Sequence, residues 1–136
     1  MTMLPASYAR LPEFEGLPRW RPRLLLVDDD ISLLDGLRRR LRKHFDVVPC
    51  KNALEALYQF EQQPPDIMVV DYVLPDVDGV QITSVLTSCS IATVPAILIS
   101  GHPRHTVPIG SLEASFLEKP FHADALITLI ESKLVP

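Results

Sequence analysis

The sequence predicts an α/β fold, a five-stranded parallel sheet wound by helices on both faces. Two observations lead there. Apolar runs too short for helices alternate with longer segments whose apolar residues recur at about 3.6 positions, the pattern of strands wrapped by helices. Runs such as Leu24–Val27, Ile67–Val70 and Ala96–Ile99 are apolar at successive positions, as strands covered on both faces are.

Residues 1–22, with Pro5, Pro12, Pro18 and Pro22, carry neither period and read as an irregular leader ahead of a folded unit over 23–136. Strands are expected over 23–27, 46–50, 66–70, 96–99 and 115–118, and helices near 31–44, 52–63, 79–89 and 122–134. Pro49 removes a ladder donor and so places the second strand at a sheet edge. Asn52 and Glu55 are spaced as a capping box, and Asp30 reads as a cap for the first helix. The stretch 101–114 contains Pro103, Pro108 and Gly110, which break helices.

The chain's 136 residues suit one core, and 47% hydrophobic against 22% charged residues is a globular composition. No apolar run is long enough to cross a membrane and no secretory signal is evident, so a cytoplasmic place is expected. A net charge of −4 argues against direct nucleic-acid binding. Cys50 and Cys89 read as buried structural thiols. His44, His102, His105 and His122 lack metal-site spacing.

The chemistry sits where strands end. Asp28, Asp29 and Asp30 follow the first strand, Asp71 the third, Ser100 and Gly101 the fourth, and Lys119 and Pro120 the fifth. In an open parallel sheet the carboxyl ends of the strands face the ligand crevice, so these endings converge. Taken singly, an Asp there is a cap, a Ser a turn residue and a Lys a surface charge. The ordered set is what points to phosphoryl transfer onto a carboxylate. Clustered carboxylates repel one another, and a hard divalent cation, magnesium or alternatively manganese, relieves that repulsion. Asp71 is then the nucleophile, with Lys119 and Ser100 holding phosphoryl oxygens.

From about Arg23 to Val135 these features resemble the receiver domains of two-component signalling. The acidic pair matches Asp28 and Asp29, and the phosphoacceptor block matches Asp71, Pro75, Asp78 and Gly79. The switch hydroxyl with its small neighbour matches Ser100 and Gly101, and the Lys-Pro-Phe block matches Lys119, Pro120 and Phe121. The resemblance implies a flavodoxin-like sheet of order 2-1-3-4-5 and a cis bond before Pro120. It also implies a metal held by Asp28, Asp29, Asp71 and the backbone carbonyl of Val73. Phe116 stands at the aromatic switch position, where it can act only as an apolar wedge. Val73 and His102 stand where the family tunes hydrolysis.

The implied partners are a histidine kinase or histidine phosphotransfer protein and a downstream protein or fused effector domain. The basic cluster of the first helix, Arg38, Arg39, Arg40, Arg42 and Lys43, reads either as a solvated face with favourable charge toward the helix C-terminus or, as the resemblance implies, as the donor's docking surface. Two features depart from the family pattern. Ser100 and Lys119 stand closer than usual by about one helical turn, so the fourth helix is expected to be shortened, displaced or absent. Homodimerisation through that helix should then be weak or use another surface, with 1–22 a candidate and Trp20 a possible anchor for that leader. Two other functions stand against this reading. A phosphorylation-independent interaction module would be favoured by loss of a ligand, the acceptor or the lysine, and all are present. A haloacid-dehalogenase-like phosphatase needs a second Asp where Val73 stands.

Overall fold

The computed structural model describes residues 21–89 and 93–134. In chain order these form β1 (Arg23–Val27), α1 (Ile31–Leu41), β2 (Asp46–Cys50), α2 (Ala53–Gln62), β3 (Ile67–Asp71), α3 (Gly79–Cys89), β4 (Ala96–Ser100), β5 (Ser115–Glu118) and α4 (Ala123–Leu134). The sheet is five-stranded and parallel with order β2-β1-β3-β4-β5, as expected. The expected leader and Trp20 lie, for residues 1–20, outside the described residues.

Successive strand side chains point to opposite faces, and both faces are covered. Leu24, Leu26, Ile67, Val69, Ile97 and Ile99 pack with Leu34, Leu37 and Leu41 of α1 and Leu126 and Ile130 of α4. Leu25, Val27, Met68, Val70 and Leu98 pack on the other face with Ala53, Ala56 and Phe60 of α2 and Ile82 and Leu86 of α3. Pro49 lies opposite Leu26 in the edge strand β2, where its missing N–H interrupts no second ladder.

The helix starts follow the sequence signals. Asp30 Oδ1 accepts the Leu33 N–H and Asn52 Oδ1 accepts the Glu55 N–H. The Glu55 carboxylate reaches back to the Lys51 N–H, one residue beyond the N-cap N–H that a capping box would use. α1 stops at Leu41, earlier than expected, because Arg42 to Phe45 turn back: the His44 and Phe45 N–H groups both bond the Leu41 carbonyl. β3 and β4 each run one residue further than expected, so Asp71 and Ser100 end their strands instead of following them.

Between β4 and β5 the described chain holds one 3₁₀ turn, Arg104–Thr106, in place of a helix. The prolines account for this: Pro103 has no N–H and initiates the turn, Pro108 cannot continue it, and Gly110 takes a positive φ of 63°. Val107 is buried, and Ile109, Leu112 and Ala114 pack against the α2–α3 face of the core, so this segment replaces a helix with an irregular cover. One expectation fails: Cys50 is buried, but Cys89, the last residue of α3, is exposed.

A cover held by one short turn should open more readily than a packed helix. Backbone amides in 101–114 are expected to exchange with solvent on the order of a hundredfold faster than those in the middle of α4. Hydrogen exchange followed by mass spectrometry checks this, and equal protection of the two segments would contradict it.

Candidate functional site

The register brings the strand ends to one level. Val27 lies beside Val70, Asp71 beside Ile99, and Ser100 beside Glu118, so Asp28, Asp71, Ser100 and Lys119 stand in neighbouring positions at the carboxyl edge. Asp28 is wholly buried. Its N–H donates to the Cys50 carbonyl at 2.9 Å, Oδ1 accepts the Asp30 N–H at 2.9 Å, and Oδ2 accepts Lys119 Nζ at 2.9 Å. Asp71 is buried, and its Oδ2 lies 3.3 Å from the same ammonium. Asp29 sits exposed at the rim, and carboxylate oxygens of Asp28, Asp29 and Asp71 lie within 4.8 Å of one another.

Three carboxylates around one ammonium leave an excess of negative charge in a partly desolvated place. Burial, and then the charge of Asp28, push the Asp71 carboxyl from its ordinary 3.8 up to about 6, against the pull of Lys119 and the Val73 N–H. Burial alone would lower Lys119, but its hydrogen bond to Asp28 and the charges of Asp71 and Asp28 outweigh that and hold it above its usual value. The donor set, all hard oxygen on one concave edge, fits a divalent cation of the magnesium type.

The loop after Asp71 is built for close approach. A Cβ at Gly79 would overlap the Asp71 carbonyl oxygen and lie 2.9 Å from Tyr72 Cα, so only glycine lets α3 begin there. The Gly79 N–H donates to the Tyr72 carbonyl at 2.7 Å, and Asp78 Oδ1 caps the helix through the Gln81 N–H. Asp76 was not singled out by sequence reasoning. Its carboxylate accepts the N–H groups of Ala53 at 3.0 Å, Leu54 at 2.9 Å and Val77 at 3.0 Å, clasping this loop to the start of α2.

Ser100 is buried, its Oγ accepting the His102 N–H at 2.8 Å and its carbonyl the Lys119 N–H at 2.7 Å. The hydroxyl proton is thereby left to point elsewhere. His102 and Tyr72 meet edge to face, ring centroids 5.9 Å apart, a contact the sequence did not signal. Val73 is exposed on the loop after Asp71, and Gly101 is exposed with open space where a Cβ would stand. Phe116 is half-buried against the core, and the Lys119–Pro120 bond is cis. Cys50, beneath this edge, has its thiol pushed up to about 12 by burial and then by the charge of Glu55, which suits an inert core residue.

The family model for the response regulator receiver domain matches residues 24–131, and the five-stranded order and acidic edge agree with it. The chain belongs to this receiver family. Among curated relatives it is 34% identical over 114 residues to the sensory transduction protein BceR of Bacillus subtilis, covering 81% of this chain and 48% of that one. It is 32% identical over 117 residues to the transcriptional regulatory protein PrrA of Mycobacterium tuberculosis, covering 83% of this chain and 50% of that one. The chain thus spans about half the length of the curated relatives it matches. A CheY-like receiver domain protein of Methanospirillum hungatei superposes with a TM-score of 0.77 at 25% identity, over 85% of this chain and 94% of that one. A receiver protein of Sinorhizobium medicae superposes at 0.75 with 27% identity, over 84% and 94%. Among the described residues no helix is long and apolar enough to cross a membrane.

A receiver domain whose Asp71 carboxyl is raised carries a stability cost at neutral pH. The folded Asp71 retains a proton that the unfolded chain releases between 3.8 and about 6, so its contribution is present below that window and lost as pH rises through it. Asp71→Asn, which cannot ionise, should stabilise the metal-free protein at pH 7.5 by about 1–3 kcal/mol. The gain should shrink toward pH 4. Urea unfolding across pH measures this, and an unchanged or lowered midpoint at pH 7.5 would contradict it.

Proposed function

We propose that this receiver domain accepts a phosphoryl group on Asp71 from a phosphohistidine of a histidine kinase or phosphotransfer protein, and thereby switches a protein-interaction surface. The observation that carries this is one ammonium, Lys119 Nζ, bridging Asp28 and Asp71 beside the buried hydroxyl of Ser100. The receiver unit is taken as 23–136, with 1–22 a leader, in a cytoplasmic setting.

Asp28, Asp29, Asp71 and the Val73 carbonyl would hold magnesium, which when bound supplies positive charge to the carboxylates and to a phosphoryl oxygen. An Asp71 carboxylate oxygen attacks phosphorus, forming the O–P bond as the donor's N–P bond breaks and its electron pair leaves with the imidazole. Lys119 Nζ, already between the carboxylates, turns one hydrogen bond to a phosphoryl oxygen. The Ser100 hydroxyl donates a second, since its acceptor side is occupied by the His102 N–H. Hydrolysis reverses the loading when water attacks phosphorus and returns the Asp71 carboxylate. Ser100 moving toward the phosphoryl group draws on 101–114, and Phe116 follows as an apolar wedge.

The domain catalyses these steps on itself and turns over no separate substrate. Its partners are the donor, docking at the basic α1, and a downstream protein or fused effector domain. With magnesium and acetyl phosphate, Asp71 should be labelled and Asp71→Asn should not. Stoichiometric labelling of that variant would overturn the assignment. Val73, apolar and exposed, orients no water, so Val73→Asn should shorten the acyl-phosphate lifetime severalfold, roughly 3- to 10-fold. A decay assay showing an unchanged or longer lifetime would remove Val73 from control of hydrolysis.

A further inference from the structure

The α2–α3 face carries large apolar side chains that neither core nor site uses. Leu54 is 71% exposed, Tyr58 58%, Val85 46% and Val77 40%. Leu54 and Tyr58 stand one turn apart on α2, hence on one stripe. Val77 is brought to the same place by Asp76, whose carboxylate holds the Leu54 and Val77 N–H groups together. α2 and α3 pack side by side, and exposed Val85 lies on α3, which begins two residues after Val77. Exposed apolar side chains gathered in this way mark interaction surfaces.

Charge selects the partner. From 52 to 101 the chain has no Lys, Arg or His, while Glu55, Glu61, Asp66, Asp71, Asp76 and Asp78 are acidic. This stretch supplies α2, α3 and the loop between β3 and α3. Of these acids Asp71 faces Lys119 in the site, and Glu55 lies 4.0 Å from Lys51. The basic residues Arg38, Arg39, Arg40, Arg42 and Lys43 belong to α1 and its turn, and α1 packs on the opposite face of the sheet.

We propose that the α2–α3 face docks a basic amphipathic segment of a partner protein. Its aliphatic side chains would lie over Leu54, Tyr58 and Val77, and its Lys or Arg residues would face Glu55, Glu61 and Asp76. Nucleic acid and anionic lipid are repelled by such a rim. A second copy offering α1 would join head to tail, an unsymmetric contact, and Arg40 of α1 is already 3.3 Å from Asp124. The proposal stands apart from the phosphoacceptor reading, since it uses neither Asp71 nor the metal.

The test titrates the isotope-labelled full chain with two synthetic helical peptides, both with Leu at every third or fourth position. One has Lys and Arg between the leucines and the other has Glu. The basic peptide should shift amides of 53–62 and 76–86 and bind at least about tenfold tighter than the acidic one. Its affinity should fall with salt. Leu54→Ser with Tyr58→Ser, both on exposed positions, should weaken it by about tenfold or more, and Arg39→Glu should leave it unweakened. Equal binding of the two peptides, no binding, shifts centred on α1 or 101–114, or sedimentation showing that Leu54 and Tyr58 are covered by a second copy would overturn the proposal.

Discussion

The site depends on one ammonium placed among carboxylates. Lys119 Nζ lies 2.9 Å from Asp28 and 3.3 Å from Asp71, both buried, with Asp29 completing a group whose oxygens lie within 4.8 Å. Two buried carboxylates without a cation would cost several kcal/mol each, and one ammonium leaves that cost only partly offset. The raised pKa of Asp71 expresses the remainder. A place holding surplus negative charge suits a hard cation, which is the electrostatic basis of the phosphoacceptor role proposed for Asp71.

The rest of the fold holds that arrangement in position. Parallel pairing sets the level of each strand end, so a slip of one residue in β1, β3, β4 or β5 would turn a site residue into the core. Hydrogen bonds across the edge join neighbouring strand ends: Tyr72 N–H to Ile99 O, Lys119 N–H to Ser100 O and Asp28 N–H to Cys50 O. Gly79 lets α3 begin against the Asp71 backbone, and Asp76 ties the loop after Asp71 to α2. Movement at Asp71 therefore has two neighbours to act on, the irregular 101–114 on one side and the start of α2 on the other.

Much of this was legible in the sequence because the signals were local. Unbroken apolar runs marked two-sided burial, Pro49 marked the edge, and Asp30 and Asn52 marked helix starts. The residue types at the strand ends announced the site, whose individual roles remain proposals. The prolines at 103 and 108 foretold the missing helix, though not that Val107, Ile109 and Leu112 would fold back as its substitute, since that is decided by the space left over the core. The Asp76 clasp and the Tyr72–His102 contact join residues distant in sequence, with no period or spacing to betray them. Cys89 was misjudged because apolar neighbours on a helix do not say which way one residue faces; in α3 the buried stripe is Gly79, Ile82, Thr83 and Leu86.

If the ammonium and a divalent cation serve the same electrostatic need, each should matter less when the other is present. Urea unfolding of Lys119→Met against the native chain, with and without saturating magnesium, measures this directly. The account predicts a loss of about 2–3 kcal/mol without metal, reduced by more than half when magnesium is added. An identical loss in both conditions would show that Lys119 does not balance the carboxylate charge.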